Sequence, residues 1–157
     1  MTASRLISVF CSIALAACST QSAPTQLNLR SVYQSQHCGD ETAGLRWLAR
    51  DAFTALVRGP GTVQHLGAAT VPAIAEAETL LLVSLGQKNS GGHGISLASE
   101  QAPIEGGTVE LPLRIQQPAA GGFQTMQLTT PCLVIALPSG GYSRITAGTL
   151  GELSVSD

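Results

Sequence analysis

Charge and aromatic rings are scarce in this sequence. Of its 157 residues only 11% are charged and 4% aromatic, whereas about a quarter of an average soluble protein is charged. Eight Lys+Arg stand against ten Asp+Glu, a net charge of −2. The clustered basic face that nucleic-acid binding requires is missing, so no nucleic acid is expected as a partner. Three His without an acidic cluster place no second ligand at metal-binding spacing, so neither a metal nor a cofactor is expected. There is no G-x-S-x-G elbow, and no phosphate- or dinucleotide-binding glycine pattern between a strand and a helix. Glu76 and Glu78 lie two apart and would not share a helix face. With no nucleophile–base motif assembled, the chain is read as a non-enzyme, without catalytic residues. What it has instead is 44% hydrophobic residues and 17 Gly. That excludes disorder, which goes with low hydrophobicity, and it suits one small domain of Leu, Val, Ile and Ala.

The N-terminus reads as an export signal. Arg5 precedes an apolar run, Leu6 to Ala17, that is too short to span a bilayer and ends in small residues. Leu15-Ala16-Ala17-Cys18 resembles the lipobox of bacterial lipoproteins. The resemblance implies cleavage before Cys18, with residues 1–17 the signal peptide, and an acyl anchor on the Cys18 thiol. It also implies a lipid-bilayer partner and a place in the cell envelope, at the outer membrane facing the periplasm because Ser19 rather than Asp follows. Residues 18–28 then form a lipidated tether, and 29–157 a single β-rich domain. Beyond Cys11 and Cys18 only Cys38 and Cys132 remain. An even pair in an exported chain favours a disulfide between them. The other reading is two separate thiols, with Cys132 buried in a strand. His37 beside Cys38 would suggest an activated thiolate, but a bridged Cys38 is inert.

Along the domain, Leu29 to Gln36 alternates loosely as a first strand, and Leu45 to Leu48 is ambiguous between strand and helix. Residues 51–58 suit a short helix: Asp51 is a plausible N-cap, apolar residues recur at four-residue spacing, and Gly59 stops it. From residue 79 the pattern turns to β. Thr79 to Leu85 and Cys132 to Leu137 are continuous apolar runs of buried strands. Ile95 and Leu97 alternate with polar or small residues, and Val109, Leu111, Leu113 and Ile115 share one face of a strand over 108–117. Pro112 belongs at an edge or bulge there. Residues 124–129 are expected to pair briefly, 142–146 form a short strand, and the tail is polar. The fold class expected is mainly β, a β-sandwich or partly closed barrel of short antiparallel strands, with one short N-terminal helix.

The order of features from Leu80 to Ile145 is distinctive. An apolar strand and Gly86 lead into Lys88-Asn89-Ser90-Gly91-Gly92-His93; Gly107-Thr108-Val109-Glu110-Leu111 follows, then Thr130-Pro131-Cys132 opening the second apolar strand, and Gly141-Tyr142. Residues 80–145 thereby resemble the PrcB C-terminal domain family, named for a subunit of a secreted protease complex. Its members carry G-x-K-x-T-G-G-Y, and here Ser90 and His93 replace the usual Thr and Tyr. The resemblance implies an accessory domain that binds or stabilises a protein partner, with a protease as the candidate. The partner-binding loop would be Lys88, Asn89, Ser90, Gly91, Gly92 and His93. The glycine pair permits positive φ and close approach of another surface, although an ordinary hairpin turn needs it equally. The loop is also similar to that of chagasin-type cysteine-peptidase inhibitors, which implies an inhibitor as the alternative function. A structural envelope protein with no discrete site is the third reading.

Overall fold

A computed structural model of the chain describes residues 25–59, 70–121 and 125–155. Residues 1–17, expected to be a signal peptide, and Cys18, the expected lipidation site, lie outside the described residues. Eleven strands and one α-helix are described: β1 Thr25–Asn28, β2 Arg30–Ser35, β3 Ala43–Leu48, α1 Arg50–Arg58, β4 Glu78–Leu85, β5 Gly94–Leu97, β6 Gln101–Glu105, β7 Thr108–Glu110, β8 Leu113–Gln116, β9 Cys132–Pro138, β10 Arg144–Thr146 and β11 Glu152–Ser154.

The strands form three sheets, ordered β2-β9-β4-β3, β1-β6-β7-β10-β11 and β5-β8. All pairs are antiparallel except β7 with β10. The two continuous apolar runs are the two central strands of the first sheet. Both of its faces are covered, so neither run needs polar alternation. In the β4–β9 register Leu81 opposes Ile135 and Val83 opposes Leu133, while Leu80 opposes Ala136 and Leu82 opposes Val134. Opposed residues share a face. Leu81, Val83, Leu133 and Ile135 pack into the larger core with Ala102, Val109 and Ile145 of the second sheet. Leu80, Leu82, Val134 and Ala136 face the other way, onto Phe53 and Val57 of α1. An extra residue in β2, between Ser31 and Tyr33, breaks strict alternation there. It lets consecutive Val32 and Tyr33 both meet the helix-side core.

The mainly β architecture with one short helix is as the sequence indicated. Several details differ. Residues 25–28, assigned to the tether, form β1, and Leu27 is buried against the second sheet through pairing with β6. Residues 45–48 lie in a strand. Asp51 is not the N-cap of α1: Ala49 holds that position without a side-chain bond, and Asp51 sits in the first turn with its carboxylate accepting from the Ala52 N–H at 2.8 Å. An acid is favourable there too, beside the helix's free N–H groups. The strand over 108–117 divides at Pro112, which has no N–H for a ladder, so β7 and β8 enter different sheets. The polar tail carries β11, whose Leu153 packs against the core.

Residues 71–77 have no regular structure, yet they are fastened over the helix-side core, where Val71 and Ile74 pack. Arg50 donates to the carbonyls of Ile74, Ala75 and Glu78 at 2.6–2.9 Å. Arg30 donates to the Ala73 carbonyl at 3.2 Å and to the Glu78 carboxylate at 2.7 Å. The Glu78 carboxylate also accepts the Ala75 N–H at 2.8 Å. That backbone donor, and then the Arg30 guanidinium, hold the Glu78 carboxyl below its ordinary value of 4.5. A group whose pKa is lower folded than unfolded adds stability above its unfolded pKa and loses it as pH falls through the folded one. Thermal denaturation from pH 7 downward should therefore show the wild type losing stability below 4.5, with Glu78→Gln less stable at pH 7 and less sensitive to acid. Parallel curves for the two proteins would remove this role.

Candidate functional site

The Lys88–His93 loop joins the central strand β4 to β5. It starts where β4 leaves the core, at Gly86, whose φ is +69°. A Cβ at Gly86 would lie 2.8 Å from the Ala43 backbone nitrogen, so only glycine fits this exit. The loop is then stitched to residues 125–130. Lys88 and Thr129 exchange both backbone bonds, at 2.8 and 2.9 Å, and the Gly91 N–H donates to the Thr125 carbonyl at 3.0 Å. The Thr129 hydroxyl donates to the Ser90 carbonyl at 3.1 Å. Both properties expected of the glycine pair are present. Gly92 has a φ of +83°. Gly91 is closely approached: a Cβ there would lie 2.5 Å from the Thr125 Oγ1. The approaching surface is this chain's own 125–130 segment, which closes one side of the loop.

That segment is fastened from behind as well. Thr130 N–H donates to the Gln36 carbonyl at 2.8 Å, Cys38 N–H to the Thr130 carbonyl at 3.1 Å, and Gly39 N–H to the Thr130 hydroxyl at 2.9 Å. The Cys38–Cys132 disulfide, with Cα atoms 6.0 Å apart, ties the same turn to the first residue of β9. The expected bridge is therefore present, and it removes Cys38 as a thiolate beside His37. The His37 ring faces the Gln127 amide, nitrogen to nitrogen at 3.2 Å. Ser90 Oγ and His93 Nε2 lie 3.5 Å apart, the outer limit of a hydrogen bond. No hydrogen bond from an acid orients either imidazole among the described residues. No group of three metal-ligating side chains occurs among the described residues.

On the other side of the loop, β5 pairs with β8, placing Gly94 opposite Gln116 and Ile95 opposite Ile115. A Cβ on Gly94 would meet Gln116 at 3.7 Å and Gln36 at 3.8 Å, so this face of the β5–β8 pair lies beside Gln36, whose carbonyl also holds Thr130 of the 125–130 segment. Apolar side chains stand out nearby: Met126 is 98% exposed and Leu128 61%, and Ile115, on the opposite face of β8 from Gln116, is 42% exposed. Among the described residues only one further large apolar side chain is so exposed, Trp47 beside α1. Sequence reading singled out the polar loop, passed over Met126 and Leu128, and placed Ile115 only on an apolar strand face. The pattern of 125–130, with Met126 and Leu128 flanking Gln127, carries the alternation of a strand with one apolar face, but not the fact that this face is uncovered.

No curated protein and no solved structure matches the chain. The family model described as PrcB C-terminal matches residues 79–138. The matched stretch runs through β4, the loop, the β5–β8 pair and β9, while β1–β3 and α1 before it and β10 and β11 after it complete the sheets. Over residues 79–138 the chain is thus similar to the PrcB C-terminal family.

Proposed function

We propose that this protein is a non-enzymatic bacterial envelope lipoprotein, anchored through Cys18, whose PrcB C-terminal domain binds or stabilises a protein partner, with a protease as the first candidate. One observation carries the binding role. Met126 and Leu128 are held at the surface by a segment that disulfide, loop and β9 all fasten, rather than being left on a loose end. Exposed apolar side chains on a braced backbone lose little entropy when a partner covers them, which is what a contact site requires. The lipobox-like run before Cys18 supports the anchor. The Thr129 hydroxyl, donating to the Ser90 carbonyl, serves the loop's shape, which supports a contact role.

Mild crosslinking in intact envelopes tests this reading. The full-length protein should crosslink to a specific protein, and Met126→Asp/Leu128→Asp should abolish that product without changing the Tm, since neither side chain supports the core. Absence of any specific product, or an unchanged product with the double variant, would overturn the binding role. Cys18→Ser should move the protein out of the membrane fraction; unchanged attachment would remove the anchor.

A further inference from the structure

We infer that the partner reaches this surface as an extended acidic segment, which adds as a strand to the outer edge of β8 and lays its carboxylates against Lys88 and Arg114. The inference rests on the protein-binding reading above and names the chemistry of the partner.

The edge comes first. Ala98 N–H donates to the Pro112 carbonyl at 2.7 Å, and Ser96 opposes Arg114 and Gly94 opposes Gln116. Antiparallel ladder bonds recur at alternate residues, so residues 112, 114 and 116 turn their backbone groups toward β5. Residues 113 and 115 turn theirs outward. The Leu113 N–H is already taken by the Leu111 carbonyl at 2.9 Å. The Ile115 N–H and C=O point away from β5, and among the described residues β8 has β5 as its only sheet neighbour. An uncovered edge beside an exposed Ile is a template for strand addition, in which main-chain bonds give affinity and flanking side chains give preference.

Charge supplies the preference. The ten acids are unevenly placed: no Asp or Glu occurs between Glu78 and Glu100, or between Glu110 and Glu152. These two stretches contain β4, the loop, β5, β8, the 125–130 segment and β9. Among the described residues, Arg30, Arg46 and Arg144 pair with Glu78, Asp40 and Glu152, whereas Lys88 and Arg114 have no ion pair. Glu41 borders the loop, its carbonyl taking the Gln87 N–H at 3.0 Å. In a protein of net negative charge, Arg114 on the edge strand and Lys88 in the loop that leads into β5 are left without ion pairs, and a carboxylate-bearing strand would complement both. An anionic lipid surface would satisfy the cations but leave the Ile115 backbone groups unmatched.

The probe is a capped nonapeptide alternating Val with Glu, compared with its Val–Lys counterpart, added to the detergent-solubilised full-length protein. Anisotropy should show the acidic peptide binding and the basic one not. Lys88→Glu/Arg114→Glu should weaken binding by about tenfold or more, as should raising the salt concentration. Amide exchange at Ile115 should slow on peptide binding, while exchange in the paired β4 and β9 stays unchanged. Equal binding of both peptides, or an Ile115 amide indifferent to the peptide, would overturn the inference. So would recruitment to phosphatidylglycerol vesicles through Lys88 and Arg114 with no binding of the acidic peptide. Each of those outcomes leaves the Met126/Leu128 crosslink unaffected, so failure here is distinct from failure of the protein-binding reading.

Discussion

Replacing both bridged cysteines, Cys38→Ala/Cys132→Ala, should cost about 3–5 kcal/mol of stability and lower the Tm by roughly 10–15 °C. The bridge joins residues 94 apart in sequence. In the chain-entropy description a loop of that length restricts the unfolded chain by between four and five kcal/mol, and native bridges deliver somewhat less. Cys132 is fully buried at the start of the central strand β9, so the variant also loses the packing of a sulfur atom. The damage should be local before it is global. Without the bridge, the turn at Cys38 holds Thr130 only by its hydrogen bonds, and Thr130 adjoins the segment that carries Met126 and Leu128. Urea denaturation checks the magnitude, and amide exchange at Lys88, Gly91 and Thr129 checks the place. A stability change under about 1 kcal/mol would mean that the sheet contacts already confine these two positions, and that the bridge is dispensable.

Phe53→Ala should destabilise by about 3–5 kcal/mol, the range for emptying a buried aromatic site. Phe53 and Val57 are the two buried residues of α1, and Phe53 meets Tyr33 edge to face, with centroids 6.5 Å apart. A helix of nine residues is too short to persist by its own hydrogen bonds. It exists because these side chains cover Leu80, Leu82 and Val134. Removing the ring leaves a cavity against the back of the first sheet and frees the helix to leave. Phe53→Leu, which keeps most of the volume, should cost under about 1.5 kcal/mol. Amide exchange should place the loss in α1 and the 71–77 strap, with β4 and β9 protected until global unfolding. An equal loss of protection in all strands would show that helix and sheet unfold as one unit.

Much of the fold was legible because its strongest elements are local patterns. Two apolar runs, Leu80 to Leu85 with Ser84 as its one polar residue and Cys132 to Leu137, are too short for membrane spans and too apolar for edge strands. They became the centre of the buried sheet. Gly59, the α1 face and the even pair of cysteines were readable for the same reason: each depends on chemistry within a few residues, or on a count. Tertiary structure decided where alternation is weak or the partner is distant. Thr25 to Asn28 looks like tether until β6 pairs with it, and Glu152 to Ser154 looks like tail until β10 does. Lys88 to His93 was noticed for its glycines, but nothing local says that Thr125 and Thr129 would occupy one side of it.

The residues by themselves determined a mostly β domain with a doubly buried central pair of strands, because burial on both faces is written as unbroken hydrophobicity. Only the assembled sheets decided which apolar side chains stay in water. Leu133 and Leu128 are the same residue type five positions apart; one is fully buried and the other largely exposed. The difference lies in whether another sheet packs over that stretch of chain, a property of the neighbours and not of the leucine.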